Sequence, residues 1–375
     1  MPIIKPDVSF AEVADDIEAI LDSGMLTSGS YVAAFEEALA SAVGVAHAVT
    51  TTSATTALHL ALVAQGISAG DEVLVSDFTF PASGNVIAEI GAIPILVDSA
   101  VDSFALDMAD ASAKVTSRTK AIMPVHPFGQ PADIGAVTAL ATDANLVVVE
   151  DAACALGSGV DGRSCGSVHP SAFSFHPRKV VTSGEGGAIT TNDDDLADRL
   201  RMLRTHGGRR AEVGLEFVEN GFNYRLSEIP AALGLAQLRR LDDILGDRAR
   251  TAESYNQRLA SVEGISLRVP GAGQNWSYQS YVVMVDDGVD RNQVIARMRE
   301  LGIETTLGTY AMHAHPAFAK FGYQRGDLPN SLRAQEQSLT LPLLPHMDPG
   351  DVDRVVETLT SVIEEARSHD RSHKR

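Results

Sequence analysis

The fold of this chain is limited most by a repeated change between short apolar runs and stretches with helical spacing. Four apolar runs occupy residues 73–75 (VLV), 92–97 (AIPILV), 121–125 (AIMPV) and 146–150 (LVVVE). Their apolar residues are consecutive rather than alternating with polar ones, which predicts strands covered on both faces. Helical spacing separates them, as in 56–65 and 133–142. This repetition predicts an α/β fold with a mainly parallel central sheet, right-handed crossovers and flanking helices.

The second half of the chain has a different character, because a long charged helical region leads into a separate series of elements. The same patterns predict strands over 171–175, 187–191 and 281–285 and helices over 227–255, 291–301 and 351–367. We therefore predict a large domain over residues 1–245 and a smaller C-terminal α/β domain over residues 246–375.

Charge and cysteine content narrow the class of protein. The net charge is −19, which repels nucleic acid and anionic lipid at long range. No apolar run approaches the roughly 20 residues that span a bilayer. The N-terminus lacks the basic start and apolar stretch of a signal peptide. The only two cysteines, Cys154 and Cys165, favour a reducing compartment. We therefore expect a cytoplasmic protein without nucleic-acid or membrane partners.

Two ionisable residues follow predicted strands. Asp151 comes directly after the run 146–150, and the carboxyl ends of strands are where open α/β sheets bind ligands. An acid there can pair with the protonated pyridine nitrogen of pyridoxal phosphate (PLP), although it can also simply cap a helix. Lys179, in SFHPRKVVTSGEGG, follows the strand 171–175 and reaches the same edge. A neutral lysine there can form a Schiff base, although a single loop lysine is usually only solvated.

A polar loop before an apolar helix supplies a candidate phosphate site. In TTTSATTALHLAL (50–62), the N–H groups of Ala54 and Thr55 open the helix, with hydroxyls at Ser53 and Thr55. A simple helix cap has the same pattern. Phe80, in SDFTFPASGN, follows a strand and can either stack on a planar ring or fill the core. Glycines 184, 186 and 187 form a turn or let the backbone approach a ligand.

Taken together, these segments resemble the DegT-type sugar aminotransferases, which are PLP enzymes of aspartate-aminotransferase-like fold (fold type I). The resemblance covers nearly the whole chain, and the order and spacing of its motifs are specific. The matching segments are SGMLTSGSYVAAFEEALASAVG, GDEVLVSDFTFPASGNVI, PVHPFGQPADI, VVEDAACALGS, SFHPRKVVTSGEGGAITTND, GFNYRLSEIPAALGLAQL, GDLPNS and LPLLPHMD.

The resemblance implies a role for each matching residue. Lys179 is the internal aldimine lysine and proton shuttle, and Asp151 binds the pyridine nitrogen. Ser174 binds the cofactor phosphate together with Ala54 and Thr55. The remaining implied ligands are Phe80 on the ring face and Asn223, in GFNYR, which reaches the phosphate from the neighbouring subunit of a homodimer.

The sequence departs from the family pattern at two positions. Ala54 stands where a glycine is usual, which tightens the phosphate loop slightly. Cys154 stands where a glutamine is frequent near the ring hydroxyl, and a thiol makes a weaker hydrogen bond. The resemblance further suggests that Arg225, Tyr310 and His313 contact substrate. No nearby carboxylate or cysteine completes a metal site around His313 and His315, so we predict no metal.

The resemblance implies a ping-pong transfer of an amino group to a nucleotide-linked keto-sugar, with glutamate, the usual donor in the family, supplying the amino group. Lys179 would move the proton in both halves. A keto-inositol acceptor, as in aminocyclitol synthesis, stays open. A sugar dehydratase of the same family typically has histidine at the lysine position, so Lys179 argues against that activity. A PLP-binding regulator without turnover is the alternative from another class of protein.

Overall fold

A computed structural model describes residues 1–373 of the chain. The helices in these residues are α1 (Ala14–Ser23), α2 (Ser30–Val43), α3 (Ala54–Ala64), α4 (Ala82–Glu89), α5 (Met108–Ala113), α6 (Ile134–Ala144), α7 (Asp194–Arg204), α8 (Glu228–Leu238), α9 (Leu241–Leu259), α10 (Arg291–Glu300), α11 (Pro329–Gln337) and α12 (Pro349–His373). Short 3₁₀ turns occupy Phe10–Glu12, Pro127–Gly129, Met312–Ala314 and Pro316–Phe321. None of the described helices is long and apolar enough to cross a membrane.

The strands follow the apolar runs of the sequence. In chain order they are β1 (His47–Thr51), β2 (Glu72–Ser76), β3 (Phe78–Thr79), β4 (Ile93–Val97), β5 (Thr119–Met123), β6 (Val147–Val148), β7 (Glu150–Asp151), β8 (Gly159–Val160), β9 (Arg163–Ser164), β10 (Ser171–Ser174), β11 (Gly187–Thr191), β12 (Gly208–Arg210), β13 (Leu215–Phe217), β14 (Ile265–Leu267), β15 (Gln274–Asn275), β16 (Tyr281–Val285), β17 (Thr306–Leu307), β18 (Tyr310–Ala311) and β19 (Ser338–Leu341).

The central sheet is mainly parallel, which confirms the predicted α/β fold. One half has the order β4-β2-β5-β6 and the other β1-β11-β10-β7. The chain passes directly from β6 to β7, and Val125 forms a parallel bridge with Asp151, so the two halves are continuous. Only β11 runs antiparallel to its neighbours β1 and β10. Every residue of β2 and β11 is buried, as expected for strands covered on both faces.

A second sheet, with the order β14-β16-β19-β17, lies in the C-terminal part of the chain. Its core contains Tyr255 of α9, Val283 of β16 and Leu359 of α12, each almost fully buried. The Tyr255 hydroxyl donates to the Pro342 carbonyl at 2.9 Å. The predicted domain boundary at 245/246 lies within the continuous helix α9, so this division of the chain stays a prediction.

The helical region predicted over 227–255 consists of two helices rather than one. It breaks between α8 and α9, where the Arg240 guanidinium binds the carboxylates of Asp7 and Glu12. The Gln237 amide donates to the Asp7 carbonyl at 2.8 Å. Contacts with the N-terminal segment, which sequence spacing does not reveal, therefore accompany the break.

Residues 1–7 connect the two parts of the molecule. The Ile3 N–H donates to a Glu304 carboxylate oxygen at 3.1 Å, and the Glu304 N–H donates to the Met1 carbonyl at 2.9 Å. At the other end Asp7 is held by Arg240. This N-terminal segment thus runs from the C-terminal part to the start of α9.

Candidate active site

Asp151 lies buried at the carboxyl end of β7. Its Oδ2 accepts a hydrogen bond from the Ser83 hydroxyl at 2.7 Å, and its Oδ1 accepts from the Ala153 N–H at 3.1 Å. Both donors hold the carboxylate in a fixed orientation. Each oxygen keeps a further lone pair, so the carboxylate can still accept a proton-bearing partner.

A buried polar pair supports the strand that carries Asp151. His126 Nε2 lies 2.9 Å from Glu150 Oε2, and both side chains are almost fully buried. The Ala132 N–H donates to His126 Nδ1 at 2.9 Å, so the ring proton lies on Nε2 and is donated to Glu150. The His126 N–H in turn donates to the Asp151 carbonyl at 3.1 Å. The position of Asp151 is therefore fixed within a single chain.

Lys179 lies in the connection between β10 and β11. Its N–H donates to the His176 carbonyl at 2.8 Å, forming a tight turn, and its Nζ donates to Cys154 Sγ at 3.0 Å. Cys154 follows Asp151 by three residues, so the amine reaches the strand end that carries the carboxylate. The two sequence-predicted groups that PLP chemistry needs are thus brought to one edge of the sheet.

The predicted phosphate residues also come together, through Gly187. Ser53 caps α3 by accepting from the Thr56 N–H, which leaves the N–H groups of Ala54 and Thr55 at the helix start without intrahelical partners. A Cβ at Gly187 would lie 2.5 Å from the Ala54 nitrogen, so only glycine permits this approach. Gly187 pairs with Ser174 across the β10–β11 ladder, which brings that hydroxyl to the same place. The Ser53 hydroxyl also caps α3.

A cavity of about 210 Å³ opens beside Lys179, with Phe80 and Tyr310 in its lining. Phe80 is 66% exposed, and its ring centroid lies 6.5 Å from that of Tyr310. Tyr310 reaches this position because β18 pairs with β3, placing it opposite Thr79. The ring of Phe80 is therefore free to cover a planar ligand.

His313 does not face this cavity. Its Nδ1 lies 2.6 Å from Asp77 Oδ2, its Nε2 lies 3.0 Å from the Arg325 carbonyl, and its side chain is fully buried. Burial alone would lower the pKa of His313, but the hydrogen bond and charge of Asp77 outweigh it and raise that pKa. Both ring nitrogens face acceptors in the chain, so the prediction that His313 contacts substrate is wrong.

Asn223 and Arg225 do not line the cavity beside Lys179. Asn223 is exposed and forms a backbone bridge with Thr205, while Arg225 is half-buried and does not line the cavity. Their segment is held by a stack of Phe222 on Tyr224, with ring centroids 4.9 Å apart. Within one described chain, neither side chain joins the site.

Sequence reasoning missed three contributors. Ser83 was overlooked although it lies in the same motif as Phe80, where a hydroxyl at the start of α4 was the available signal. Arg248 and the N-terminal segment line the cavity through contacts between distant parts of the chain, which have no local signal in the sequence.

Comparison with known proteins agrees with this geometry. The model of the DegT/DnrJ/EryC1/StrS aminotransferase family matches residues 9–360. GDP-perosamine synthase of Caulobacter vibrioides is 41% identical over 360 residues, covering 93% of this chain and 95% of that protein. The spore coat polysaccharide biosynthesis protein SpsC of Bacillus subtilis is 36% identical over 381 residues, covering 98% of both chains.

Solved structures give the same result. DesV of S. venezuelae, in complex with a ketimine intermediate, superposes with a TM-score of 0.91 at 34% identity, covering 97% of this chain and 98% of that one. The PLP form of the putative sugar aminotransferase Spr1654 of Streptococcus pneumoniae has a TM-score of 0.92 at 28% identity, covering 98% and 99%.

The residues present fit PLP. The Lys179 amine, the buried Asp151 carboxylate and the helix start at Ala54 match its aldehyde, pyridine nitrogen and phosphate in chemical type. The close approach at Gly187, which any side chain would block, leaves the N–H groups of Ala54 and Thr55 beside the Ser174 strand. The chain therefore belongs to the DegT/DnrJ/EryC1/StrS aminotransferase family and is a PLP-dependent aminotransferase.

Proposed function

We propose that this enzyme transfers an amino group from L-glutamate to a nucleotide-linked keto-sugar. The observation that carries the proposal is the meeting of the Lys179 amine with the strand end that holds Asp151. The similarity to GDP-perosamine synthase supports a nucleotide-linked acceptor. The similarity to SpsC, a polysaccharide biosynthesis protein, also supports sugar chemistry.

Lys179 and Asp151 have complementary tasks in this proposal. Lys179 would hold the cofactor covalently and then move a proton with Nζ. Bound PLP would withdraw electrons from the substrate carbon. Asp151 would pair with the protonated pyridine nitrogen, because Ser83 and the Ala153 N–H hold the carboxylate in a fixed orientation.

The other predicted ligands would orient the cofactor. Ala54, Thr55 and Ser174 would bind its phosphate, and Phe80 would cover its ring. Cys154, which already contacts Lys179, would lie next to the reacting amine. Of the predicted substrate residues, Tyr310 has the strongest support because it lines the same cavity as Lys179.

We further propose a homodimer in which Asn223 completes the partner's phosphate site. The exposure of Asn223 supports this arrangement, because its side chain has no partner within the described chain. An exposed apolar patch formed by Met25, Leu26 and Ile229 also supports it. These residues lie together because the Glu228 N–H donates to the Leu26 carbonyl. The free thiols of Cys154 and Cys165 support the cytoplasmic location that we propose.

The covalent link provides the first experiment. Borohydride reduction of the purified holoenzyme, followed by peptide mapping, should place the cofactor label on Lys179. A label on another residue, or none, would overturn the proposal.

The second experiment measures turnover. Addition of L-glutamate should change the cofactor absorbance and release 2-oxoglutarate, and a nucleotide-linked keto-sugar should restore the original spectrum. Restoration by a keto-inositol alone would identify a cyclitol acceptor instead. An unchanged spectrum with glutamate would favour a regulator without turnover.

A further inference from the structure

One wall of the cavity beside Lys179 includes the N-terminal segment. Residues 3–7 form part of this wall, and Arg248 of α9 lies in the lining together with Arg178 and Gln279. At about 210 Å³ the cavity is smaller than the roughly 300–1,000 Å³ of typical drug-sized ligand sites. Its size suits a small acyclic amino donor.

Arg248 is held in place by backbone groups rather than by an acid. Its Nε donates to the Tyr278 carbonyl at 2.9 Å and its Nη2 to the Gln279 carbonyl at 2.6 Å. Tyr278 has a φ of 46°, an uncommon left-handed conformation for a bulky residue. Among the described residues no carboxylate forms an ion pair with Arg248, and Nη1 has no acceptor. A fixed guanidinium with a free donor edge is suited to binding a carboxylate.

The neighbouring acids are mostly engaged with other groups. Asp247 accepts from the His346 N–H at 2.7 Å and pairs with Arg250, and Asp7 is held by Arg240. Asp243 is an exposed acid in the lining, opposed by the exposed cations Lys5 and Arg178. Burial lowers the pKa of Arg248 to about 10, partly offset by Asp247, so the side chain is protonated at neutral pH. The cavity therefore offers positive charge within a chain of net charge −19.

Hydrogen bonds connect Arg248 to the segment that carries Lys179. Gln279, whose carbonyl accepts from Arg248, donates through its side-chain Nε2 to the Arg178 carbonyl at 2.8 Å. Arg178 directly precedes Lys179. Arg248 and Lys179 therefore both line this cavity.

We propose that Arg248 binds the side-chain carboxylate of a dicarboxylic amino donor while the donor's amino group meets the site at Lys179. This inference rests on the proposed aminotransferase function and adds to it a residue that determines donor specificity. A free guanidinium edge in a small cavity distinguishes a carboxylate from a methyl group of similar size, because the uncharged analogue leaves the half-buried cation without a partner.

The test compares Arg248→Gln with Arg250→Gln, a matched control two residues away whose exposed side chain pairs with Asp247. In the half-reaction with amino donor alone, Arg248→Gln should lower the preference for L-glutamate over L-norvaline about tenfold or more. The half-reaction of the aminated enzyme with keto-sugar should be unchanged. Arg250→Gln should behave like the wild type in both.

A binding measurement provides a readout other than turnover. Calorimetric titration of the holoenzyme with glutarate, which has no amino group, should show about tenfold weaker binding for Arg248→Gln, with valerate binding unchanged. Equal glutarate affinity in both proteins would overturn the proposal. So would equal losses in the donor and acceptor half-reactions, which would indicate that Arg248 only supports the loop at Tyr278. If no amino acid reacts with the wild type, the proposed function fails, whereas the glutarate result still tests the carboxylate site.

Discussion

The strand-end cluster around Asp151 and the segment around Asn223 differ in how complete they are within one chain. Both Asp151 carboxylate oxygens have donors, and the supporting Glu150–His126 pair is fully enclosed. Asn223 is exposed, and its side chain has no partner in the described part of the chain. One chain thus organises the groups around Asp151 by itself, whereas the contribution proposed for Asn223 needs a second subunit.

Substitution at the strand-end cluster should have the largest effect. Asp151→Asn keeps the shape but removes the charge, so kcat should fall about 10²- to 10³-fold, as when one electrostatic contact to a developing charge is lost. Steady-state kinetics measure this effect. Mixing Asp151→Asn with Lys179→Ala should restore no activity, because both residues belong to the same chain's site. Recovery of activity in that mixture would show that Asp151 and Lys179 act in sites shared between chains.

Substitution of Asn223 should have a smaller effect that a second chain can rescue. Asn223→Ala should lower activity about 10- to 100-fold through the loss of a hydrogen bond to phosphate. An unfolded and refolded equal mixture with Lys179→Ala should regain about one quarter of wild-type activity, since half of the dimers would contain one intact site. A mixture no more active than its components would show that Asn223 acts only within its own chain.

Substitution of Gly187 tests whether one chain alone organises the proposed phosphate ligands Ala54, Thr55 and Ser174. Gly187→Ala places a Cβ within 2.5 Å of the Ala54 nitrogen, so PLP affinity should fall about tenfold and stability by about 1–3 kcal/mol. Gly135→Ala, in α6, is the matched control, because its nearest neighbour is a flexible Asp133 side chain at 3.4 Å. Cofactor titration and thermal unfolding measure both effects. Equal behaviour of the two variants would contradict the close approach.

The smallest effect should be a pH dependence of stability caused by His59, which packs against the segment that carries Asn223. His59 contacts Phe222 at a ring-centroid distance of 5.0 Å, and burial lowers its pKa, with Glu89 acting in the opposite direction. The unfolded chain therefore binds a proton at His59 more readily than the folded chain does. The stability that neutral His59 contributes is present above an ordinary histidine pKa of about 6.5, and it is lost as pH falls through the lower pKa of the folded state. His59→Gln should reduce the pH dependence of unfolding between about pH 8 and about pH 5 by less than about 1 kcal/mol, because His59 is only half-buried. An identical pH dependence of unfolding in the wild type and in His59→Gln would show that His59 does not contribute to it.

The part of the site that local structure organises could be predicted from the sequence, whereas the part that depends on distant contacts could not. Asp151, Lys179 and Ala54 were identifiable because each follows an apolar run or opens a helix, and strand ends meet at one edge of a parallel sheet. The structural role of His313 was not, because its partner Asp77 lies 236 residues away. Arg248 was hidden for a similar reason, since the loop at Tyr278 that holds it comes from another part of the chain. Local patterns identify groups held by local structure, whereas groups held by distant contacts need the fold.

The single antiparallel strand of the central sheet has a consequence for the order of folding. Because β10 and β11 are neighbours joined by one short connection, the hairpin that carries Ser174, Lys179 and Gly187 closes a small loop. Small loops close quickly, whereas pairing such as that of β1 with β11 and contacts such as Asp77–His313 must bring distant segments together. The lysine hairpin can therefore form early in folding, and a refolding chain would present its reactive amine before the rest of the binding site has assembled.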